Sequence, residues 1–421
     1  MEMDYISILN RAIQHARKAP FYQKRLPNAI TSIQDFHSIP FTTKEDLQVQ
    51  SPYGLIAVNG DELSQYHESS GTTGNPVSAW FSNEDLESVT EKIGDCGVKL
   101  SEKDRVLIRY PYALSTISHL THQAAQRNNA CVIPADSRTS ITPMPRVIDL
   151  MKKLDVTVLA CISLQAVMLA EIAEMLGLNP KRDFPTLRAI CTAGEPLTPS
   201  RRNLLEEIWG VPVYDNYGMT EIGTMMVDCH SQQMHPFGED LYYELLREDF
   251  ITPVQPGEVG NLVVTTLKER AMPLIRYKTG DRARFLNMKC HCGKETLMEI
   301  WGRKKDVVIM NSIEFDLREL EEMVSFLPCR RFWAVGVYQN TLTFIVEREK
   351  ESDDVPINLE KRLKKQYGVK IQIQLVDKGT LYDREEMQAF GMSGKPEYFL
   401  TEEQIQSILL KTFLKSKGVS S

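Results

Sequence analysis

Apolar residues recur along this chain in two rhythms, one helical and one strand-like. Ile6, Leu9, Ile13 and Ala16 fall at helical spacing between Asp4 and Lys18, and Pro20 ends the run, so the spacing predicts an amphipathic opening helix. Short buried strands follow at Val106 to Arg109, Ala130 to Ile133, Val156 to Ala160, Leu187 to Thr192 and Val211 to Tyr214. Helix-length stretches separate several of them, notably Arg146 to Lys153 and Pro199 to Trp209. This alternation predicts an α/β domain with largely parallel sheets. The longest apolar stretch, Val156 to Leu176, is interrupted by Thr157, Ser163, Gln165, Glu171 and Glu174. It predicts a buried strand to Ile162 and then a helix capped by Ser163, and no membrane span.

The pattern changes near Asp240. From there to Trp301, hairpin-like strands (Leu262 to Thr266, Arg282 to Leu286) lie between Gly and Pro turns. From Gly302 a smaller unit appears, with strands at Asp306 to Met310, Trp333 to Tyr338, Leu342 to Glu347 and Lys370 to Val376. Helices are predicted at Leu317 to Phe326 and Leu359 to Tyr367. The expected division is a large N-terminal domain, residues 1–301, of β-sheets flanked by helices, and a small α+β C-terminal domain, residues 302–421.

Composition narrows the function classes. The 421 residues carry 49 basic and 56 acidic side chains, net −7, so no basic footprint points to nucleic acid or an anionic membrane. The clustered Lys361, Arg362, Lys364 and Lys365 fit a solvated helix face. The start, Met1-Glu2-Met3-Asp4, lacks the basic and apolar runs of a secretion signal, and a cytoplasmic setting is expected. In a reducing compartment the eight cysteines would be core, catalytic or metal-binding residues.

Six short motifs can carry chemistry. Ser69-Ser70-Gly71-Thr72-Thr73-Gly74-Asn75-Pro76 can surround a phosphate chain with backbone N–H groups and hydroxyls, though a flexible surface loop would have the same composition. Neither a P-loop nor a dinucleotide fingerprint is present. Asp215-Asn216-Tyr217-Gly218-Met219-Thr220-Glu221 follows the strand ending at Tyr214, where α/β folds place ligands. It offers an aromatic face, a hydroxyl and a hard oxygen ligand for Mg²⁺. Thr192-Ala193-Gly194-Glu195-Pro196 also follows a strand. Tyr277-Lys278-Thr279-Gly280-Asp281 and Gly302-Arg303-Lys304-Lys305-Asp306 pair a carboxylate with an Arg, as a ribose site would. Ser393-Gly394-Lys395 lies near the C-terminus. Each motif alone also suits an ordinary turn or tail.

In this order, however, the set resembles the adenylate-forming superfamily of acyl-CoA synthetases, and within it the phenylacetate–CoA ligase-like branch. Ala19-Pro20-Phe21-Tyr22, Ile39 to Leu47, and Ala271-Met272-Pro273-Leu274-Ile275-Arg276-Tyr277 carry the branch likeness, as does the short length. The resemblance spans residues 8 to 400 and implies ATP-dependent formation of an acyl-adenylate, then transfer to a thiol, usually coenzyme A. It also implies that the small domain is mobile. By resemblance, Ser69, Ser70, Gly71, Thr72, Thr73 and Gly74 hold the β- and γ-phosphates, and Thr220 and Glu221 contact the α-phosphate and Mg²⁺. Tyr217 stacks on adenine beside Gly194, Glu195 and Pro196, with Asp215 and Gly218 in the same nucleotide site. Asp281, assisted by Arg303, accepts from the ribose. Lys395 is the catalytic lysine and Lys305 the hinge.

Some positions depart from the family pattern. Asn75 replaces a usual lysine, and Ser312 and Glu314 stand where the branch shows Gly and Asn. A carrier-protein thiol or an amine is therefore the alternative acceptor. A non-catalytic nucleotide- or acid-binding relative is a third reading, opposed by Glu221, Asp281, Arg303 and Lys395 occurring together. The acid, aromatic by default of the branch, is expected to lie against Tyr110, Tyr112, His119 and Ala193. Cys229, His235, Cys290 and Cys292 form a candidate structural Zn²⁺ set, with His230 or His291 as substitutes for His235. The oligomeric state is left open, a homodimer among the options.

Overall fold

The computed structural model describes residues 2–69, 75–94, 96–286, 288–389 and 397–416. A seven-stranded sheet organises the N-terminal part. Its strands run, in spatial order, Cys131–Pro134, Arg105–Ile108, Val158–Ala160, Ala189–Ala193, Val213–Met219, Gly223–Asp228 and Met234–Pro236. The first five are parallel, and the last two strands are added through antiparallel pairings. Strands Arg105–Ile108, Val158–Ala160 and Ala189–Ala193 inside the sheet are mostly apolar, because helices cover them on both sides. The helices Thr116–Arg127, Met144–Lys153, Ser163–Met175 and Pro199–Trp209 supply that cover.

Strand Val213–Met219 runs five residues past the expected end at Tyr214. Asp215 and Asn216 still pair with Thr192 and Ala193, while Tyr217 and Gly218 pair with Met226 and Thr224. The motif is thus a hairpin and not a strand-to-helix turn. Gly218 is required there, because a Cβ would fall 2.3 Å from the carbonyl oxygen of Gly223.

An antiparallel sheet of four strands, Leu241–Leu246, Gly260–Thr266, Tyr277–Leu286 and Leu297–Arg303, stands beside the first. Along Tyr277–Leu286 the buried positions Tyr277, Thr279 and Asp281 alternate with more exposed ones, so they share one face. A separate antiparallel hairpin pairs Leu63–Glu68 with Ser78–Ser82. Ser69 closes that hairpin: its N–H donates to Val77 O (3.0 Å), and its Oγ accepts from Val77 N (2.9 Å).

The strand Leu297–Arg303 runs through the expected boundary at residues 301/302. Beyond it, a second core forms around Val308, Phe315, Leu320, Trp333, Phe344, Leu363 and Tyr398. The hairpin Val307–Met310 with Ile313–Asp316 leads into helix Leu317–Ser325. A three-stranded sheet follows, Trp333–Tyr338, Thr341–Glu347 and Ile371–Val376, the last pair parallel across helix Leu359–Tyr367. Residues 398–400 add to its edge, with Val335 N donating to Tyr398 O (2.8 Å). Phe332 and Met387 of this unit pack into the core around helix Ser163–Met175. No described helix is long and apolar enough to cross a membrane.

The sequence places a cap at Ser163, and the structure corrects this. Ile162 is the N-cap residue and makes no side-chain cap hydrogen bond. Ser163 is the first helical residue, and its Oγ donates to Oε1 of Glu195 (2.5 Å). The same oxygen accepts from Leu164 N (2.7 Å), so the cap is a carboxylate 31 residues further along the chain.

Candidate active site

A cleft of about 2130 Å³ opens along the C-terminal ends of the parallel strands. It is walled on the far side by the four-stranded sheet and by the C-terminal unit. Most of the residues expected to act together line it: Ser69, Gly194, Glu195, Pro196, Asp215, Tyr217, Gly218, Thr220, Glu221, Asp281, Arg303 and Lys305. Ser70, Gly71, Thr72, Thr73, Gly74 and Lys395 lie outside the described residues.

Two contacts join the sheets at the cleft. The Tyr217 hydroxyl donates to Oδ2 of Asp281 (2.6 Å), and the Tyr277 hydroxyl donates to Oε1 of Glu221 (2.5 Å). Burial, with the Asp281 carboxylate adjacent, pushes the Tyr217 phenol well above its ordinary pKa, so it remains a donor. Arg303 pairs with Asp281 in the register of neighbouring strands, its Nε 3.7 Å from Oδ1. Thr220 is fixed through its carbonyl, which accepts from Thr116 Oγ1 (3.2 Å). Asp215 turns its carboxylate to Thr192 Oγ1 (2.9 Å) and rests beside Asp228, which accepts from Asp215 N (2.7 Å) and pairs with Arg202 (2.8 Å). Burial and the Asp228 charge raise the Asp215 pKa to about 7.

Of the residues expected around the acid, Tyr110 and Ala193 line the cleft. Tyr112 and His119 are not among the lining residues and pair elsewhere. His119 Nε2 lies 2.9 Å from Tyr112 O, and the Tyr112 hydroxyl lies 3.3 Å from His122 Nδ1. Tyr112 lies in the loop before helix Thr116–Arg127 and His119 in its first turn, and loop and helix pair with each other, so adjacency in sequence does not carry these side chains to the cavity. Ile162, Gln165 and Thr224 line the cleft instead, and no motif marks them.

Sequence patterns also miss the closure of the cleft by the C-terminal unit. Arg201 (2% exposed) forms a salt bridge with Glu321 (5%), with Nη2 to Oε1 at 2.5 Å and Nε to Oε1 at 2.7 Å. Thr198 Oγ1 donates to the other oxygen of Glu321. Tyr398 docks on the same Arg201, whose guanidinium lies 5.6 Å from the ring centroid, and reaches Glu195 Oε2 with its hydroxyl at 3.3 Å. Glu171 meanwhile receives Arg331, Lys378 and Arg384.

The cysteine cluster forms where two hairpin loops meet. The ligand atoms of Cys229, His235, Cys290 and Cys292 all lie within 4.8 Å of one another. Cys229 Sγ and Cys290 Sγ are 3.6 Å apart, and Cys292 Sγ is 3.3 Å from His235 Nε2. His235 Nδ1 is 2.7 Å from Thr296 O, which fixes the ring and leaves Nε2 for a metal. Burial lowers the His235 pKa, favouring the neutral form a metal needs. Three thiols and one imidazole at this spacing fit a closed tetrahedral Zn²⁺ site. His230 and His291 are both exposed and stand apart from the cluster.

Residues 23–267 match the family model described as AMP-binding enzyme. The chain belongs to that family. Among curated relatives of this AMP-binding enzyme, the phenylacetate-coenzyme A ligase of Thermus thermophilus is 29% identical over 357 residues, 82% of this chain and 77% of the relative. That of Escherichia coli (strain K12) is 27% identical over 402 residues, 89% of this chain and 90% of the relative. The fold is shared with 2-hydroxyisobutyryl-CoA ligase in its postadenylation state, with a TM-score of 0.84, 20% identity, and 99% and 92% of the two chains covered. In the thioesterification state of that enzyme, with the same identity and coverage, the TM-score is 0.68.

Proposed function

We propose that this AMP-binding enzyme activates a carboxylic acid with ATP, releasing pyrophosphate, and passes the acyl group from the acyl-adenylate to the thiol of coenzyme A. The likeness to phenylacetate-coenzyme A ligases supports an aromatic acid. The observation that carries the reading is the meeting of separate motifs at one cleft, where Tyr217 holds Asp281 and Tyr277 holds Glu221.

A carboxylate attacking the α-phosphate needs orientation and charge neutralisation, not a protein nucleophile. Tyr217 offers its ring to adenine, and Asp281 accepts from the ribose hydroxyls while Arg303, beside it, donates. Thr220 and Glu221 face the α-phosphate, and the loop from Ser69 to Gly74 faces the β- and γ-phosphates. Mg²⁺, held by Glu221, would neutralise charge that develops on the phosphates. Lys395 would bring an ammonium to the reacting carboxylate from a C-terminal domain that divides from the rest near Lys305. The zinc would be structural, tying the loop after Asp228 to the loop between strands Tyr277–Leu286 and Leu297–Arg303.

A carrier-protein thiol is the second reading. The turn that joins Val307–Met310 to Ile313–Asp316 favours it. Asn311 and Ser312 there take positive φ angles (51° and 64°), and Ser312 and Glu314 are exposed where the branch shows Gly and Asn.

Pyrophosphate exchange across a panel of acids tests adenylation, and product analysis with and without coenzyme A tests the acceptor. Lys395→Ala is expected to abolish exchange and to spare thioester formation from a presynthesised adenylate. No exchange with any acid would remove the proposal. AMP release that ignores coenzyme A but needs a carrier protein would favour the second reading.

A further inference from the structure

Three buried side-chain oxygens in the walls of the cleft hydrogen-bond to nothing among the described residues: Oδ1 of Asn216, Oε1 of Gln165 and Oγ1 of Thr224. Asn216 is half-buried and belongs to the motif that follows Tyr214, whereas Gln165 and Thr224 are only 1% exposed. Gln165 lies in the first turn of helix Ser163–Met175, one turn beyond Ile162, whose apolar side chain also lines the cleft. Its neighbours Ser163 and Leu164 are engaged by Glu195, which leaves the Gln165 amide as the uncommitted polar group of that turn. Thr224 lies on strand Gly223–Asp228, where the backbone is packed closely against helix Thr116–Arg127. A Cβ on the adjacent Gly223 would meet Leu120 Cδ1 at 3.3 Å.

Beside them the cleft wall is partly apolar and partly paired, and Asn216, the register partner of Ala193, adds its own unpaired Oδ1. Ile162 and Ala193 offer no hydrogen bonds, and the Tyr110 hydroxyl donates to Cys191 O (2.9 Å). Buried amides and hydroxyls are paired in native structures as a rule. A plain ring or alkyl chain filling this space would exclude water from Gln165 and Thr224 and satisfy neither. A hydroxyl or amino group on the acid would donate to the Gln165 oxygen, or exchange a hydrogen bond with the Thr224 hydroxyl.

We propose that the acid carries a hydroxyl or amino substituent besides its carboxylate, and that Gln165 and Thr224 select for it. The inference rests on the adenylation reading and narrows it. An unsubstituted arylacetic acid would be a poor substrate, because it leaves buried polar groups unpaired when it binds.

The test is pyrophosphate exchange with matched pairs of aromatic and aliphatic acids that differ only by one hydroxyl or amino group. It is run on the wild-type chain, on Gln165→Leu and on Thr224→Val. The wild type is expected to prefer the substituted member of at least one pair by about tenfold or more in kcat/KM. At least one variant is expected to lower kcat/KM for that acid while holding or raising it for the plain partner, collapsing the ratio. Thr224→Val keeps the side-chain shape and loses no protein hydrogen bond, so its Tm should stay at the wild-type value and the change is not one of folding. Equal use of both members of every pair, or a preference unchanged in both variants, overturns the proposal and leaves adenylation standing. No exchange with any acid removes the adenylation reading itself, and this inference with it.

Discussion

The hydroxyl of Tyr398 lies 3.3 Å from Oε2 of Glu195, the carboxylate whose other oxygen caps helix Ser163–Met175. Tyr398 is three residues beyond Lys395, and Glu195 belongs to the loop expected along the adenine edge. One side chain thus ties the segment that follows the expected catalytic lysine to the nucleotide loop. Tyr398→Phe keeps the packing on Trp333, whose ring centroid is 5.1 Å away, and deletes only the hydroxyl. The hydroxyl also accepts from Arg201 Nη2 (3.4 Å), so two hydrogen bonds are lost; at about 0.5–1.5 kcal/mol net each, pyrophosphate exchange should fall by about fivefold to a hundredfold. Thioester formation from a presynthesised adenylate should keep its rate. Unchanged exchange would show that Tyr398 does not position this segment.

Glu321→Ala leaves the guanidinium of Arg201 buried without its carboxylate. Breaking a buried pair from one side costs about 3–5 kcal/mol when the charge cannot reach water. Here the two partners belong to different units, so the interface can part and hydrate Arg201. The expected outcome is a larger radius of gyration by small-angle scattering, with the unfolding midpoint lowered less than that cost implies. A compact variant with the full drop in Tm would place the pair in the stability of the core instead.

Cys292→Ser should release the metal. Elemental analysis is expected to find about one zinc per wild-type chain and much less in the variant, with a lower Tm that added chelator reproduces in the wild type. A metal-free wild-type chain with an unchanged melting curve would remove the zinc assignment.

Asp215 makes stability fall as pH rises. Burial beside Asp228 raises its folded-state pKa to about 7, above the ordinary carboxylate value. Between those two values the folded chain keeps a proton that the unfolded chain has released, so stability declines across that window. Asp215→Asn should flatten the decline. Melting temperatures at pH 5 and pH 8 for both proteins check this, and equal slopes would refute it.

The local rhythm of the sequence carries much of the fold. Helices Pro199–Trp209 and Leu359–Tyr367 and strand Trp333–Tyr338 begin and end where the pattern places them. Propensity, capping and a buried face act there within a few residues, and those forces are written in neighbouring positions. The same holds for the cysteine set, because a metal-binding residue type is recognisable before its partners are located.

What the sequence could not decide rests on residues brought together from distant positions. The cap expected from Ser163 is a carboxylate supplied by Glu195, and Tyr112 and His119 pair within their own loop and helix and not with the cavity. Arg201 and Glu321 are ordinary charges until two units bury them together. Gln165 and Thr224 look like interruptions in apolar runs until the cleft places both in its walls. The sequence by itself determined the elements, the order of the motifs and the family likeness. The tertiary structure decided which polar atoms are consumed within the protein and which remain for a ligand, because hydrogen bonding and desolvation depend on contacts that separation along the chain does not encode.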